Sequence, residues 1–178
     1  AAMDPVRIAA QRARESSYSL ASMDLRTRNE ALLKIAEALE ANSEEIIKAN
    51  SEDLEAARSA EISPVLIKRL RYDREKIEDS IRSIHSLVEQ EDVVGKTLSR
   101  TELDEGLVLE KISCPIGVIG VVFESRPDAL VQISCLCLRS GNAVLLKGGI
   151  EAKSTNEALA RTIVGAATSV DERFADAV

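Results

Sequence analysis

The sequence predicts an α/β fold in which amino-terminal helices precede part of a parallel β-sheet domain. The first ninety residues combine helical spacing of apolar side chains with good helix-capping residues. The run Ile116–Phe123 is almost purely apolar, which is typical of a strand covered on both faces in a parallel sheet. A helical pattern and a second short apolar run, Ala143–Leu146, follow it. The order strand, helix, strand therefore predicts a βαβ unit.

Composition limits the kinds of protein that this chain resembles. With 178 residues, of which 45% are hydrophobic, it is long enough to bury a sizeable core. A formal charge of −7 argues against nucleic acid or an anionic membrane as a partner. No apolar run approaches the roughly 20 residues of a membrane span, and no signal peptide is visible. Three cysteines without framework spacing favour a reducing, cytoplasmic location.

A series of helices is predicted for the first ninety residues. Asp4–Pro5 is a favourable N-cap and first-turn pair, and Ser63–Pro64 has the same character for a later helix. Asp73 is expected to cap the helix after that one. Between these signals we predict a helix that ends near Asn42 and a short helix around Ile46, followed by a charged segment.

The middle of the chain is less regular in sequence. The acidic segment Glu89–Glu105 is predicted to be an irregular connector, whereas 107–109 and 111–113 are predicted to be extended. We therefore divide the chain into a helical amino-terminal region, 1–106, and the first βαβα part of a cofactor-binding domain, 107–178.

The turn after the first core strand is predicted to begin a helix. Ser125 is the expected N-cap and Pro127 lies in the first turn. The second core strand leads into Lys147 and a glycine pair, and Ser154–Glu157 then matches a capping box that opens the last helix. The two turns follow the carboxyl ends of parallel strands, where open α/β sheets bind ligands. We expect the turns 123–126 and 147–151 to face one crevice.

Two long sequence blocks make the chain similar to a known family. They read PIGVIGVVFESRPDAL at Pro115–Leu130 and SGNAVLLKGGIEA at Ser140–Ala152. Both resemble the γ-glutamyl phosphate reductase (glutamate-5-semialdehyde dehydrogenase) family of the aldehyde dehydrogenase superfamily. The same domain forms the carboxyl-terminal half of Δ1-pyrroline-5-carboxylate synthase. The resemblance covers most of the chain and implies amino-terminal helices plus the first half of a Rossmann-like parallel-sheet cofactor domain of the aldehyde dehydrogenase fold.

The resemblance also implies an activity. It is the NADPH-dependent reduction of L-glutamyl 5-phosphate to L-glutamate 5-semialdehyde and phosphate in proline biosynthesis. The implied partners are a glutamate 5-kinase, fused or separate, and further copies of the chain in a homo-oligomer. An alternative is a non-catalytic nucleotide-binding or regulatory module of the same fold. Sequence beyond Val178 would distinguish the two.

The cofactor residues implied by the resemblance lie in the two turns. Lys147 is placed against the adenosine ribose or its 2′-phosphate, although a lysine at a strand end is more often a solvated charge. Gly148 and Gly149 let the backbone approach the ligand, because no Cβ intervenes. Glu151 either binds a ribose hydroxyl or is an ordinary first-turn residue. The superfamily loop that borders the nicotinamide corresponds here to Phe123, Glu124 and Ser125.

The sequence indicates the substrate-binding residues less clearly than the cofactor-binding residues. Many aldehyde dehydrogenases carry an asparagine in this loop that helps to hold the oxyanion, and this sequence has none there. Arg126 is a candidate for the acyl phosphate, because a guanidinium pairs bidentately with phosphate oxygens. His85, the only histidine, is predicted to be a surface residue rather than a general base.

The cysteines are predicted to be structural. Acyl-phosphate reduction in this superfamily uses a cysteine thiolate, yet Cys114, Cys135 and Cys137 do not match the family's nucleophile position. That nucleophile and the catalytic domain are expected beyond Val178. No metal site is predicted, since the C-x-C pair has no histidine companion. Two parallel strands do not form a stable sheet alone, so we expect this chain to be a piece of a longer protein, inactive by itself.

Overall fold

The structure, a computed structural model, describes residues 4–178. Within this range there are seven α-helices and four β-strands. The helices are α1 (Pro5–Ala21), α2 (Leu25–Ala41), α3 (Ser43–Ser59), α4 (Pro64–Leu70), α5 (Arg74–Val88), α6 (Pro127–Arg139) and α7 (Lys153–Val170). The strands are β1 (Thr97–Asp104), β2 (Leu107–Ile112), β3 (Val118–Val122) and β4 (Ala143–Lys147). Two 3₁₀ turns, Ile150–Ala152 and Glu172–Phe174, precede and follow α7.

The amino-terminal helices begin where the capping residues predicted. The Asp4 carboxylate accepts a hydrogen bond from the Val6 amide at 3.0 Å, and that of Asp73 accepts one from the Lys76 amide at 3.1 Å. The prediction of a short helix around Ile46 was wrong. The charged residues that follow it continue α3 as one helix of 17 residues, with its polar side facing solvent.

The acidic connector contains the first strand of a β-hairpin, which corrects the prediction of irregular structure for Glu89–Glu105, whereas the second strand confirms the extended structure predicted from residue 107. Strands β1 and β2 pair antiparallel, and every residue in them is exposed. Gly106 takes a φ of 75° in the turn between them, a conformation that glycine adopts without strain. The division predicted between residues 106 and 107 falls in this turn and remains a prediction.

The βαβ unit forms as predicted. Strands β3 and β4 pair in parallel from Val118 opposite Ala143 to Val122 opposite Lys147, and α6 connects them. Strand β3 was expected to be covered on both faces, but the Val122 side chain is 84% exposed. Within residues 4–178, β3 lies at the sheet edge, whereas the other side of β4 is met by Ala177, whose carbonyl accepts from the Val144 amide at 2.8 Å.

One apolar core joins the helical region to the βαβ unit. Helices α2, α5, α6 and α7 pack together, and α6 and α1 pack against β4. The fully buried side chains at the centre of this core are Leu32, Ile35 and Leu39 of α2, Ile77 of α5, Leu138 of α6, and Leu159 and Ile163 of α7. No helix between residues 4 and 178 is long and apolar enough to cross a membrane.

A buried ion network links the same two regions. Arg28 of α2 is 2% exposed and donates to both carboxylate oxygens of Asp92, at 3.0 and 2.8 Å. Arg28 also donates to the carbonyl of Arg139 in α6, and Arg139, itself 3% exposed, donates to the carbonyl of Gln90 at 2.7 Å. The hydrogen bond from Arg28 holds the pKa of Asp92 below its ordinary value. The guanidinium of Arg139 also lies 3.8 Å from Asp92. The single carboxylate of Asp92 therefore balances only part of the positive charge on the two buried guanidinium groups.

We expect Asp92→Ala to destabilise the chain strongly. Removing one partner of a buried ion pair leaves an uncompensated charge and costs about 3–5 kcal/mol. We expect a loss at the lower end of this range, because the Asp92 side chain is 26% exposed and the pair is therefore partly solvated. Chemical denaturation measures the loss. The matched control is Glu91→Ala, which removes the neighbouring carboxylate, 88% exposed and paired with Lys96. Equal free energies of unfolding for the two variants would contradict the prediction.

Candidate functional site

The two turns predicted to face one crevice do meet at one edge of the sheet. The Phe123 amide donates to the carbonyl of Lys147 at 3.0 Å, which extends the parallel pairing to the ends of β3 and β4. Just beyond, the Ser125 hydroxyl donates to Oε2 of Glu151 at 2.6 Å. Because parallel strands end on the same side, the two turns share one edge. The geometry of the predicted crevice is therefore confirmed.

Close approach between the turns depends on glycine. A Cβ built on Gly149 would overlap Ser125 Oγ and lie 3.1 Å from the Ser125 amide nitrogen. A Cβ on Gly148 would lie 3.2 Å from the ring of Phe123 and would overlap the Asn156 side chain. Gly149 has a φ of −70°, so space rather than backbone conformation requires glycine there. These glycines thus let the two turns approach each other closely, whereas the predicted approach of a ligand to their backbone remains a prediction.

Ser125 does not cap α6, which corrects the prediction. The N-cap position is Arg126, and no side chain accepts a hydrogen bond there. The Ser125 hydroxyl points across the crevice instead, where it donates to Glu151, and Ser125 is 8% exposed. That hydrogen bond lowers the pKa of Glu151 below its ordinary value, so this carboxylate is ionised at neutral pH. The crevice therefore holds a fixed negative acceptor.

A cleft of about 220 Å³ opens between these turns and α4. One wall is polar and the other is apolar. The polar wall consists of Glu124, Ser125, Gly149 and Glu151, and the apolar wall of Ile62, Leu66 and Leu70. Arg69 of α4 reaches across to Glu124, with its Nη1 2.6 Å from Oε2. The arrangement suits a ligand that has one apolar side and hydroxyl groups on the other.

The apolar wall was missed at the sequence level. Its three residues recur every fourth position, with Leu66 and Leu70 on one face of α4 and Ile62 two positions before the helix begins at Pro64. That spacing was a usable signal. What the sequence did not indicate is that a short helix some 60 positions earlier would lie against the β3–α6 turn, since only tertiary packing brings them together.

Four predicted site residues lie outside the cleft lining, namely Phe123, Arg126, Lys147 and Gly148. The ring of Phe123 packs against Gly148 and the core. The Lys147 side chain is exposed, and its Nζ donates to the carbonyl of Gly148 at 3.0 Å. Arg126 is also exposed, with its nearest carboxylate, on Asp128, at 3.8 Å. The structure brings Lys147 and Arg126 to the same edge as the cleft without directing either into it.

The last helix is capped from a distance, which corrects the predicted capping box at Ser154–Glu157. Helix α7 starts at Lys153, so Ser154 is already inside its first turn. The carboxylate of Asp53 in α3 takes the capping role. It accepts from the Ser154 amide at 3.3 Å, from the Thr155 amide at 2.8 Å and from the Thr155 hydroxyl at 2.6 Å.

The cysteines have no place in this crevice. Burial raises the pKa of Cys135 to about 12 and also raises that of Cys137, so neither is a thiolate at neutral pH. Cys114 is exposed but precedes β3, at the strand end opposite the crevice. His85 is exposed, as predicted. Between residues 4 and 178, no cluster of three His, Cys, Asp or Glu side chains is arranged to hold a metal ion.

Curated proteins with similar sequences are named gamma-glutamyl phosphate reductase or delta-1-pyrroline-5-carboxylate synthase. The chain is 57% identical over 157 residues to gamma-glutamyl phosphate reductase of Pelotomaculum thermopropionicum, an alignment covering 88% of this chain and 36% of that protein. This chain belongs to the γ-glutamyl phosphate reductase family. It is also 49% identical over 161 residues to delta-1-pyrroline-5-carboxylate synthase of Mesembryanthemum crystallinum, covering 90% of this chain and 22% of that protein. No protein-family model matches the chain.

Solved structures agree with this assignment. The crystal structure of gamma-glutamyl phosphate reductase from Thermotoga maritima superposes with a TM-score of 0.94 at 32% identity, covering 97% of this chain and 42% of that one. A probable aldehyde dehydrogenase from Listeria monocytogenes has a TM-score of 0.67 at 15% identity, covering 93% of this chain and 34% of that one. The fold is part of the aldehyde dehydrogenase fold, and the chain spans about a third of the length of the reductase named first, 36%.

Gly149→Ala should damage the crevice. The added Cβ would meet backbone and hydroxyl atoms of Ser125, which have little room to move. Overpacking of this kind costs roughly 1–3 kcal/mol. Thermal unfolding measures the loss. Gly120→Ala in β3 is the control, because a Cβ there meets nothing within 4 Å, and it should be neutral or slightly stabilising. Equal melting temperatures for the two variants would show that the turns are not tightly apposed.

Proposed function

We propose that this chain supplies the cofactor-binding part of an NADPH-dependent reductase that converts L-glutamyl 5-phosphate to L-glutamate 5-semialdehyde and phosphate. The observation that carries the proposal is the Ser125–Glu151 hydrogen bond, which joins the two family sequence blocks at one cleft. The sequence identity to named reductases supports the reaction. An assay of NADPH oxidation with freshly formed glutamyl phosphate, on a full-length reductase that carries this sequence, tests it.

The residues of the crevice fit a nicotinamide dinucleotide. Glycine at 149 lets the second turn approach Ser125, which brings Ser125 and Glu151 together at the cleft. Glu151 is an ionised acceptor suited to ribose hydroxyls, and Ser125 holds it in place. Lys147 is an exposed cation at the same edge, suited to a phosphate or ribose oxygen. When bound, NADPH supplies the hydride for reduction.

The nucleophile of this reaction is proposed to lie outside the 178 residues. A thiolate that displaces phosphate from the acyl phosphate must stand opposite the nicotinamide, and the burial of Cys135 and Cys137 prevents this role. Arg126 is proposed to meet the acyl phosphate. Its guanidinium is exposed beside the crevice, and within residues 4–178 its ionic partner is only the carboxylate of Asp128 at 3.8 Å, so a phosphate would be the stronger ligand.

Assembly and location remain predictions. The exposed hairpin of β1 and β2 offers unpaired strand edges with exposed Leu103 and Leu109, which supports the expectation of a homo-oligomer. A glutamate 5-kinase, fused or separate, follows from the substrate, because an acyl phosphate must be made by phosphoryl transfer to a carboxylate. The cytoplasmic location expected from the cysteine content also stays a prediction.

In the full-length reductase, Lys147→Ala should raise the KM for NADPH far more than it lowers kcat. Losing a hydrogen bond from a charged group costs about 1.5–3 kcal/mol, or roughly ten- to a hundredfold in affinity. Steady-state kinetics with NADPH and NADH measure the effect. It should be smaller with NADH if Lys147 binds the 2′-phosphate. Lys111→Ala, which removes an exposed lysine of the hairpin, is the control. An unchanged KM for both cofactors would show that Lys147 does not contact the cofactor.

We expect the 178-residue chain, taken alone, to have no reductase activity. None of its cysteines is both exposed and at the crevice edge. The test runs the reaction in reverse, with NADP, glutamate semialdehyde and phosphate, because glutamyl phosphate cyclises readily. Turnover that a serine substitution at Cys114, Cys135 or Cys137 abolishes would contradict the prediction and identify the nucleophile. Turnover that survives all three substitutions would point to contaminating full-length enzyme.

A further inference from the structure

Helix α3 carries two buried polar side chains directly behind the cleft. Asn50 is 2% exposed and Asp53 is 7% exposed, and they lie about one helical turn apart on the same face. Burying an amide and a carboxylate is costly unless hydrogen bonds compensate for the lost water. Their partners therefore indicate what this pair of residues stabilises.

Asp53 fixes the polar wall of the cleft. Its carboxylate accepts from both amides at the start of α7 and from the Thr155 hydroxyl. These groups follow immediately after the 3₁₀ turn Ile150–Ala152, which carries Glu151. Ala152 is 0% exposed and packs against Ala57, one further turn along α3. Contacts with α3 thus fix the chain on the carboxyl-terminal side of Glu151.

Asn50 fixes the apolar wall. Its Nδ2 donates to the carbonyl of Leu70 at 2.9 Å, and its Oδ1 accepts from the Tyr72 amide at 2.8 Å. These two bonds hold the junction between α4 and α5, and Leu70 is a lining residue of the cleft. The same Nδ2 donates to Thr155 Oγ1 at 3.2 Å. Thr155 therefore bonds to both α3 residues and joins the two walls.

We propose that Asn50 and Asp53 are positioning residues that set the separation of the two cleft walls and the direction of Glu151. Neither lines the cleft, so neither is a ligand contact. Their effect reaches the cleft through backbone groups of α4 and α7. This inference rests on the proposed cofactor site, because it assigns the width of that site to residues of α3.

The substitution Asp53→Asn tests the proposal with almost no change in volume. An asparagine accepts through one side-chain oxygen only, so it cannot reproduce the bonds that two carboxylate oxygens make to Ser154 and Thr155. In the full-length reductase, the KM for NADPH should rise about tenfold while kcat changes less than about twofold, since a small misplacement of a binding group weakens binding strongly. Thr155→Ser keeps the hydroxyl and should behave as wild type, whereas Thr155→Val should resemble Asp53→Asn.

Asp24→Asn is the matched control. Asp24 also caps a helix, accepting from the Thr27 amide at 2.8 Å, but at the start of α2, and it is not a lining residue of the cleft. Because asparagine caps a helix about as well as aspartate does, little loss of stability and an unchanged KM are the expected result. Equal KM values for the two variants would overturn the positioning role and leave Asp53 as a structural cap.

Hydrogen exchange of the 178-residue chain gives a readout that needs no activity. In Asp53→Asn, amide exchange should accelerate both at 150–156 and at 69–73, because Thr155 and Asn50 couple the two walls. Acceleration confined to 150–156 would overturn the two-wall proposal. A wild-type reductase without NADPH-dependent turnover would instead refute the proposed function, and the exchange experiment would still decide whether α3 couples the walls.

Discussion

Parallel pairing of β3 with β4 is the constraint from which the arrangement of the site follows. It forces both strands to end at the same edge, so the turns after Val122 and Lys147 must lie side by side. Glycine at 149 then allows the second turn to approach the first closely enough for Ser125 to bond to Glu151. A larger residue at that position would separate the turns. The crevice therefore depends on strand direction first and on the two glycines second.

The helical region acts as a scaffold for this edge, and it does so with buried polar groups as well as apolar packing. At one end of the βαβ unit, Arg28 and Asp92 hold the carboxyl end of α6. At the other end, Asp53 holds the start of α7. Apolar contacts alone permit small shifts between packed helices, whereas hydrogen bonds to named backbone groups specify one arrangement. The two networks thus hold the helices on either side of β4 in the chain, at the carboxyl end of α6 and at the start of α7.

Much of this fold could be predicted from local sequence, and the remainder depends on contacts that are distant along the chain. Asp4–Pro5 and Asp73 are local signals, and the helices began there. Strand β2 confirms the extended structure predicted for 107–109 and for 111–112. Strand β1 was missed because it is exposed and carries no apolar alternation, and because the turn signal at Gly106 lies in an acidic stretch. The cap of α7 was missed because its carboxylate lies 101 and 102 positions earlier in the chain. In the site, the glycines and Glu151 could be read locally, whereas the wall formed by α4 could not.

The remote cap also determines how charge is distributed at the cofactor edge. A helix amino terminus normally attracts a phosphate, because its first amides are unpaired and its dipole is positive there. In α7 the carboxylate of Asp53 already accepts from the Ser154 and Thr155 amides, and its negative charge compensates the positive end of the helix dipole. Glu151 adds further negative charge to the cleft itself, whereas the charge of Glu124 is paired with Arg69. In the proposed cofactor site, an anionic group of the dinucleotide would therefore be met by side chains such as Lys147 at the rim, and the uncharged hydroxyl-bearing part would occupy the cleft proper.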